Sequence, residues 1–238
     1  MKSNKIKRNF VLGILFFLPV IFLLFLYPSK HNYTPLDVIQ TDVKEITNFS
    51  SDASDKIMLK DHITILAFLG ETPLENGIAA SNLKELVYDK FKGFKKFQIV
   101  VAVPYGTEVK IKELKQEINT YEDLKFWHYV YGTPEDIKGL FNSLKFDTVL
   151  RPDLSTDVVY IIDTERNQRG RLDGRDEREM KTNKPTYMLT GYDCIDIRDI
   201  KNKMSDDLRI LFTEYRQKRK GNFDSSSRRA QDLKQSDE

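Results

Sequence analysis

The stretch DHITILAFLGETPLENGIAAS, residues 61–81, decides the fold. Ile63, Ile65, Leu66, Ala67, Phe68 and Leu69 form a short apolar run closed by Gly70, as in a central strand covered on both faces. From Ala79 the period changes. Leu83, Leu86, Val87 and Phe91 fall at the spacings of one helical face, which predicts a helix over 79–91. Between strand and helix lies Gly70-Glu71-Thr72-Pro73-Leu74-Glu75-Asn76-Gly77. A helix N-terminus at such a junction favours an anion or a thiolate. This junction supplies neither cysteine nor histidine, only the carboxylates Glu71 and Glu75.

Toward the C-terminus the alternation repeats. FQIVVAV (97–103) reads as a second buried strand, stopped by Pro104-Tyr105-Gly106. Residues 107–121 carry Val109, Ile111, Leu114 and Ile118 among charges, an amphipathic helix. FWHYVY (126–131) reads as a strand. Thr133-Pro134-Glu135-Asp136 is a helix start with a capping threonine, proline at the first position and acids in the first turn. VVYIID (158–163) is the next strand, and another begins near Arg169. Residues 173–190 read as a charged surface loop or exposed hairpin, and 199–219 as a last helix. The polar stretch 220–238 reads as a disordered tail. Strand and helix in alternation predict an α/β fold with a mostly parallel central sheet.

Toward the N-terminus, Lys2, Lys5, Lys7 and Arg8 precede FVLGILFFLPVIFLLFLY, residues 10–27, which hold no charge. That length is about the minimum for a helix crossing roughly 30 Å of hydrocarbon, and Pro19 is tolerated there. The basic flank places residues 1–9 in the cytoplasm and everything after Tyr27 on the far side of the membrane. A cleaved signal peptide is the rival, but the apolar run is long for one and no small-x-small site follows it. Residues 28–57 read as a tether and entrance segment, with Val38, Val43, Ile46 and Phe49 placed to form a small hairpin.

Composition narrows the chemistry. The 238 residues include 38 Lys+Arg against 36 Asp+Glu, so overall charge selects no partner. The 11 Tyr and 15 Phe are ample for a packed core. The single cysteine, Cys194, excludes an intrachain disulfide, a CxxC pair and any multi-cysteine metal site. Cys194 reads as a small buried hydrophobe or the seat of an intermolecular disulfide, and His128 as a structural strand residue without a second ligand. His62 reads as a strand-end residue. Neither Glu71 nor Glu75 has a partner that would make an acid–base pair or a hard-metal site. Arg216, Lys218, Arg219, Lys220, Arg228 and Arg229 could meet lipid headgroups or nucleic acid, but the location outside the cytoplasm disfavours nucleic acid, and with its interspersed acids the stretch reads as a solvated tail.

Several strings together resemble the Sco/SenC family, membrane-anchored thioredoxin-fold proteins that deliver copper to cytochrome oxidase. They are ITILAFLG before the loop, FWHYVYGTPEDIKGLF, STDVVYIIDTERNQRGRLDG and YDCIDIRDIKNKMSDDLRILFTEY. The resemblance covers roughly residues 58–216 and implies a thioredoxin-like domain at 58–219. That family holds copper through two cysteines in a C-P-x-x-C loop and one distant histidine. Carried onto this chain, the cysteine positions are Thr72, which keeps the following Pro73, and Asn76; the histidine position is Leu154, in Arg151-Pro152-Asp153-Leu154-Ser155. Hydroxyl, amide and leucine side chains cannot replace the soft thiolates that select Cu(I).

The resulting expectation is a membrane-anchored, non-catalytic protein-binding module without a cofactor, metal or nucleic-acid partner. It would sit in the bacterial inner membrane with its domain on the periplasmic side. The resemblance implies a protein partner, such as a respiratory complex. The vestigial ligand loop, Gly70 to Ile78, would form part of the partner-binding face together with Asp153 to Ser155. Its named positions are Thr72, Pro73, Leu74, Asn76, Ile78 and Leu154, with Pro73, Leu74 and Ile78 as apolar contacts and Leu74 and Leu154 at exposed positions. The alternative is a copper chaperone or thiol–disulfide oxidoreductase acting through other residues.

Overall fold

The computed structural model describes residues 2–26, 34–53, 56–118 and 123–221. Tyr27, most of the expected tether before Thr34, the last residues of the helix expected to reach Tyr121, and the tail beyond residue 221 lie outside them. The chain divides into two compact units, Met1–Thr34 and Pro35–Glu238.

The first unit is helix α1, Lys2–Leu26, with Pro19 inside it. Among the described residues no helix is long and apolar enough to cross a membrane. The second unit is built on a sheet of eight strands: β1 Asp37–Gln40, β2 Ser50–Ser51, β3 Ile63–Leu69, β4 Phe97–Pro104, β5 Trp127–Gly132, β6 Ser155–Ile162, β7 Gln168–Gly170 and β8 Tyr192–Asp193. Their order is β1-β7-β6-β3-β4-β5-β2, with β8 on β6 as well. Only β3, β4 and β5 run parallel; β6 reverses against β3, and β7, β8, β1 and β2 all pair antiparallel. The sheet is therefore mixed, which corrects the expectation of a mostly parallel one. The physical reason is connection length: β6 to β7 is a tight turn around Asn167, which can join only antiparallel neighbours.

The expected hairpin among Val38–Phe49 does not form. β1 pairs with β7 and β2 with β5, at opposite edges of the sheet. Between them Val43 and Ile46 are buried beneath the sheet with Leu59, so burial carries this segment across one face. Both edge strands belong to the compact unit that starts at Pro35.

All residues of β3 and β4 are buried because helices cover both faces. On one face Ile63, Ile65, Ala67 and Leu69 pack with Leu83 and Val87, with Leu114 of α4 (Glu108–Ile118), and with Leu208 and Leu211 of α7 (Ser205–Arg219). On the other, Leu66 and Phe68 meet Ile137, Leu140 and Phe141 of α5, Pro134–Phe141. The helix expected over 79–91 starts earlier, as α2 at Gly77–Leu83, widens through a π-helical turn at Lys84–Tyr88 and ends in α3, Asp89–Phe91. A second π-helical turn, Asp199–Met204, leads into α7. The charged stretch 173–190 contains α6, Glu177–Lys181, closed by a capping box between Asp176 and Glu179.

Candidate functional site

The site lies where β3 ends and β6 begins, antiparallel neighbours whose Leu69 and Ser155 stand opposite each other. Gly70 turns the chain out of β3 with φ +67. A side chain there would put its Cβ 2.4 Å from the Asp153 carbonyl oxygen and 2.9 Å from Ser155 Cβ. Only glycine fits both conformation and space. The next amide, of Glu71, donates to that same Asp153 carbonyl at 2.8 Å. Residues 72–77 then coil into α2 through amides of Glu75 and Asn76 donating to the Thr72 carbonyl, and that of Gly77 to the Leu74 carbonyl.

The polar side chains at the two positions where the resemblance expects cysteines are both engaged within the fold. Thr72 Oγ1 donates to Asp153 Oδ2 at 3.3 Å. Asn76 Nδ2 donates to the Leu69 carbonyl at 2.9 Å and so closes the end of β3. Asp153 in turn accepts from the Ser155 hydroxyl at 2.7 Å and from the Ser155 amide at 3.1 Å. Arg151 donates to Ser155 Oγ at 3.3 Å and pairs with Asp157. Burial pushes the Asp153 carboxyl up, but the hydrogen bonds from Ser155 and Thr72, with Arg151 nearby, leave it below the usual carboxylate range. A hydrogen-bonded lock of Thr72, Asp153, Ser155, Arg151 and Asp157 thus joins the two loops.

Leu154 behaves differently from the expectation. It adopts φ +67 and is only 3% exposed, packed in the core with Phe68, Phe141 and Tyr160. The left-handed turn, closed by the Leu154 amide on the Arg151 carbonyl at 2.9 Å, directs the side chain into the core. The expectation of an exposed Leu154 beside Leu74 is therefore corrected: leucine at this position gains more from the core than from solvent. Pro73 is buried as well, whereas Leu74 and Ile78 are 36% and 65% exposed. Glu71 and Glu75 face solvent, and the Glu71 carbonyl accepts from Lys110 Nζ at 2.9 Å.

Chemically the loop offers hydroxyl, amide and carboxylate oxygens and no sulfur or imidazole. Among the described residues no group of three or more His, Cys, Asp or Glu could hold a metal ion. Cys194 is fully buried just past β8, its amide donating to the Asp157 carbonyl and its carbonyl accepting from Asn82 Nδ2 at 2.8 Å. Burial, with Asp193, Asp157 and Asp199 around it, pushes its thiol well up, so it carries no reactive thiolate. His128, on β5, pairs with Val100 of β4; burial first and His62 second hold its imidazole below the usual range. Sequence reading missed Asp153, Ser155 and Asp157 as a unit. Their spacing carries no motif, and the contact that matters, to Thr72, spans 81 residues.

This architecture, a mixed sheet between helical layers with a loop-to-helix junction after the central strand, defines the thioredoxin-like class. The solved structures it resembles include a SCO1/SenC family lipoprotein from Bacillus anthracis, with TM-score 0.50 and 14% identity over 76% of this chain and 99% of that one. Bradyrhizobium japonicum ScoI with copper bound matches at TM-score 0.37 and 13% identity, over 68% of this chain and 95% of that one. BsSco, described as a member of the Sco family of cytochrome c oxidase assembly proteins, matches at 0.41 and 14%, over 73% and 95%. At these identities the likeness is one of fold. The chain has the fold of Sco/SenC proteins, as the resemblance in sequence implies. No family model and no curated protein matches it.

Proposed function

We propose that this protein is a membrane-anchored, non-catalytic thioredoxin-like module whose junction loop holds a protein partner. The observation that carries the reading is chemical. The three positions where the resemblance places copper ligands hold a hydroxyl, an amide and a core leucine, and the two polar groups are already bonded within the fold. What remains accessible on the loop is the apolar pair Leu74 and Ile78 beside the carboxylates of Glu71 and Glu75. Strand-end loops of α/β sheets are where such folds meet their ligands.

The anchor is supported by the uncharged run 10–27 behind a basic segment and by the exposure of its large apolar side chains, Leu15 and Phe16 among them at 73% and 72%. On this reading the protein sits in a bacterial inner membrane with everything after Tyr27 on the periplasmic side. A respiratory complex such as cytochrome oxidase, or its assembly, is the partner context, drawn from the family that the fold resembles.

Two measurements on the full-length protein, extracted from membranes, test the reading. Leu74→Glu with Ile78→Glu should leave the circular dichroism spectrum unchanged and cut recovery of the co-purifying partner by about tenfold, the loss of a central apolar contact. Undiminished recovery with a folded double variant counts against the loop. In competition with a Cu(I) chelator the wild type should retain no stoichiometric copper; a site that survives competition overturns the non-catalytic half.

A further inference from the structure

The two ends of the strands in the second unit differ in their exposed charges. At the end where β3 and β4 stop, Glu71, Glu75, Glu108 and Asp193 surround the junction loop and the turn after β8, offset by the exposed bases Lys110, Arg151 and Arg198. At the opposite end, where the same strands start, Lys60, Lys95, Lys96, Lys125, Arg216 and Arg219 are exposed. These bases come from four separate segments that the fold brings together. The Ile63 amide donates to the Lys96 carbonyl at 2.7 Å, setting the turn that carries Lys60 beside the Lys95-Lys96 step. The Phe94 ring stacks on Phe212 with centroids 4.0 Å apart. Arg216 and Arg219 follow Phe212 by one and two turns of α7, on the same side of the helix. The Ile99 amide donates to the Phe126 carbonyl, and Lys125 Nζ lies 5.5 Å over the Phe126 ring. Among the described residues the acids near this end include Asp61, Glu117, Asp123, Glu165 and Asp89, the last engaged by Lys84 at 3.0 Å and Lys92 at 3.5 Å.

We propose that this strand-start end of the domain docks on an anionic lipid surface. Ammonium groups on long alkyl stems, interspersed with the partly buried rings of Phe94 and Phe126, suit the headgroup boundary, where bases meet phosphate and rings meet the upper acyl chains. Docking in this way turns the loop end, with Leu74 and Ile78, away from the bilayer. The proposal does not depend on α1 being an anchor, because it concerns residues 35–238 alone. Both cores draw only on residues from Leu36 onward, and all eight strands lie within this unit, so it folds without residues 1–34.

Flotation of residues 35–238 with vesicles of phosphatidylcholine alone, or with about a third phosphatidylglycerol, tests the idea at low and high salt. Each base near an anionic surface strengthens binding by about fivefold, so Lys60→Glu/Lys95→Glu/Lys96→Glu should lower partition to anionic vesicles by tenfold or more. Lys110→Glu/Lys112→Glu/Arg198→Glu makes the same change of net charge at the other end and should lower it far less. Binding should be absent on phosphatidylcholine and lost in high salt. Equal partition to both vesicles, or equal losses from the two triple variants with intact melting transitions, overturns the proposal. So does tighter binding to an oligonucleotide than to the anionic vesicle, which would assign the face to nucleic acid.

Discussion

At the scale of single residues, two left-handed positions frame the site. Gly70 and Leu154 both have φ +67, one leaving β3 and one approaching β6. Glycine there was legible as the end of an apolar run, but its necessity was not: that depends on the Asp153 carbonyl, brought within 2.4 Å of an added Cβ by strand pairing. Gly70→Ala should destabilise residues 35–238 by about 2 kcal/mol or more, from the left-handed penalty plus displacement of that backbone. Urea unfolding measures it, and a cost of only a few tenths would mean the two loops part easily. That Thr72 and Asn76 are not cysteines was equally legible, since sequence reports residue types without ambiguity. Their hydrogen bonds were not, because Asp153 and Leu69 become neighbours only in space.

At the scale of elements, local signals located what local forces hold. Thr133 caps α5 as its sequence predicts, accepting from the Asp136 amide at 3.1 Å, with Pro134 at the first helical position. Thr133→Ala should cost about 1 kcal/mol, read as a lower midpoint in urea with an unchanged slope. No change would mean that Pro134 and packing of Ile137 and Leu140 hold the helix start unaided. The π-helical turns were invisible to a search for a 3.6-residue period, since each inserts one residue into it. They pack near one another, and the helices that follow them, α3 and α7, are tied by Lys90 Nζ donating to Ser205 Oγ at 3.1 Å, a contact across 115 residues. The strands β1, β2 and β8 are two to four residues long, too short for any period to register.

At the scale of the molecule, one buried ion cluster joins elements from across the chain. Arg169 of β7 pairs with Asp163 at 3.1 Å and Glu214 of α7 at 2.7 Å, and donates to the Leu36 carbonyl ahead of β1 at 2.9 Å. Burial pulls its guanidinium down, but Glu214 and Asp163 outweigh that and raise it further. Arg169→Met removes the guanidinium between two buried carboxylates, leaving Glu214 its pair with Lys218 at 3.0 Å and Asp163 without its ion pair, and should destabilise the unit by about 3–5 kcal/mol. If the variant is instead too unstable to purify, Glu214→Gln, which keeps a hydrogen-bonding partner for Arg169, should fold with a smaller loss. A near-neutral Arg169→Met would mean that water reaches the cluster.

Sequence by itself determined the buried strands β3, β4 and β5, the helices that follow them, the class of fold, and the absence of thiolate and imidazole at the junction. These follow from periodicity, capping and residue type, which act over a few positions along the chain. Tertiary structure decided the direction of β6 against β3, the separation of β1 from β2, the burial of Leu154 and the lock between Thr72 and Asp153. Each depends on which side chain finds the free volume or the open hydrogen bond of a partner far away in sequence. That choice is made by packing of the whole unit, and no local pattern encodes it.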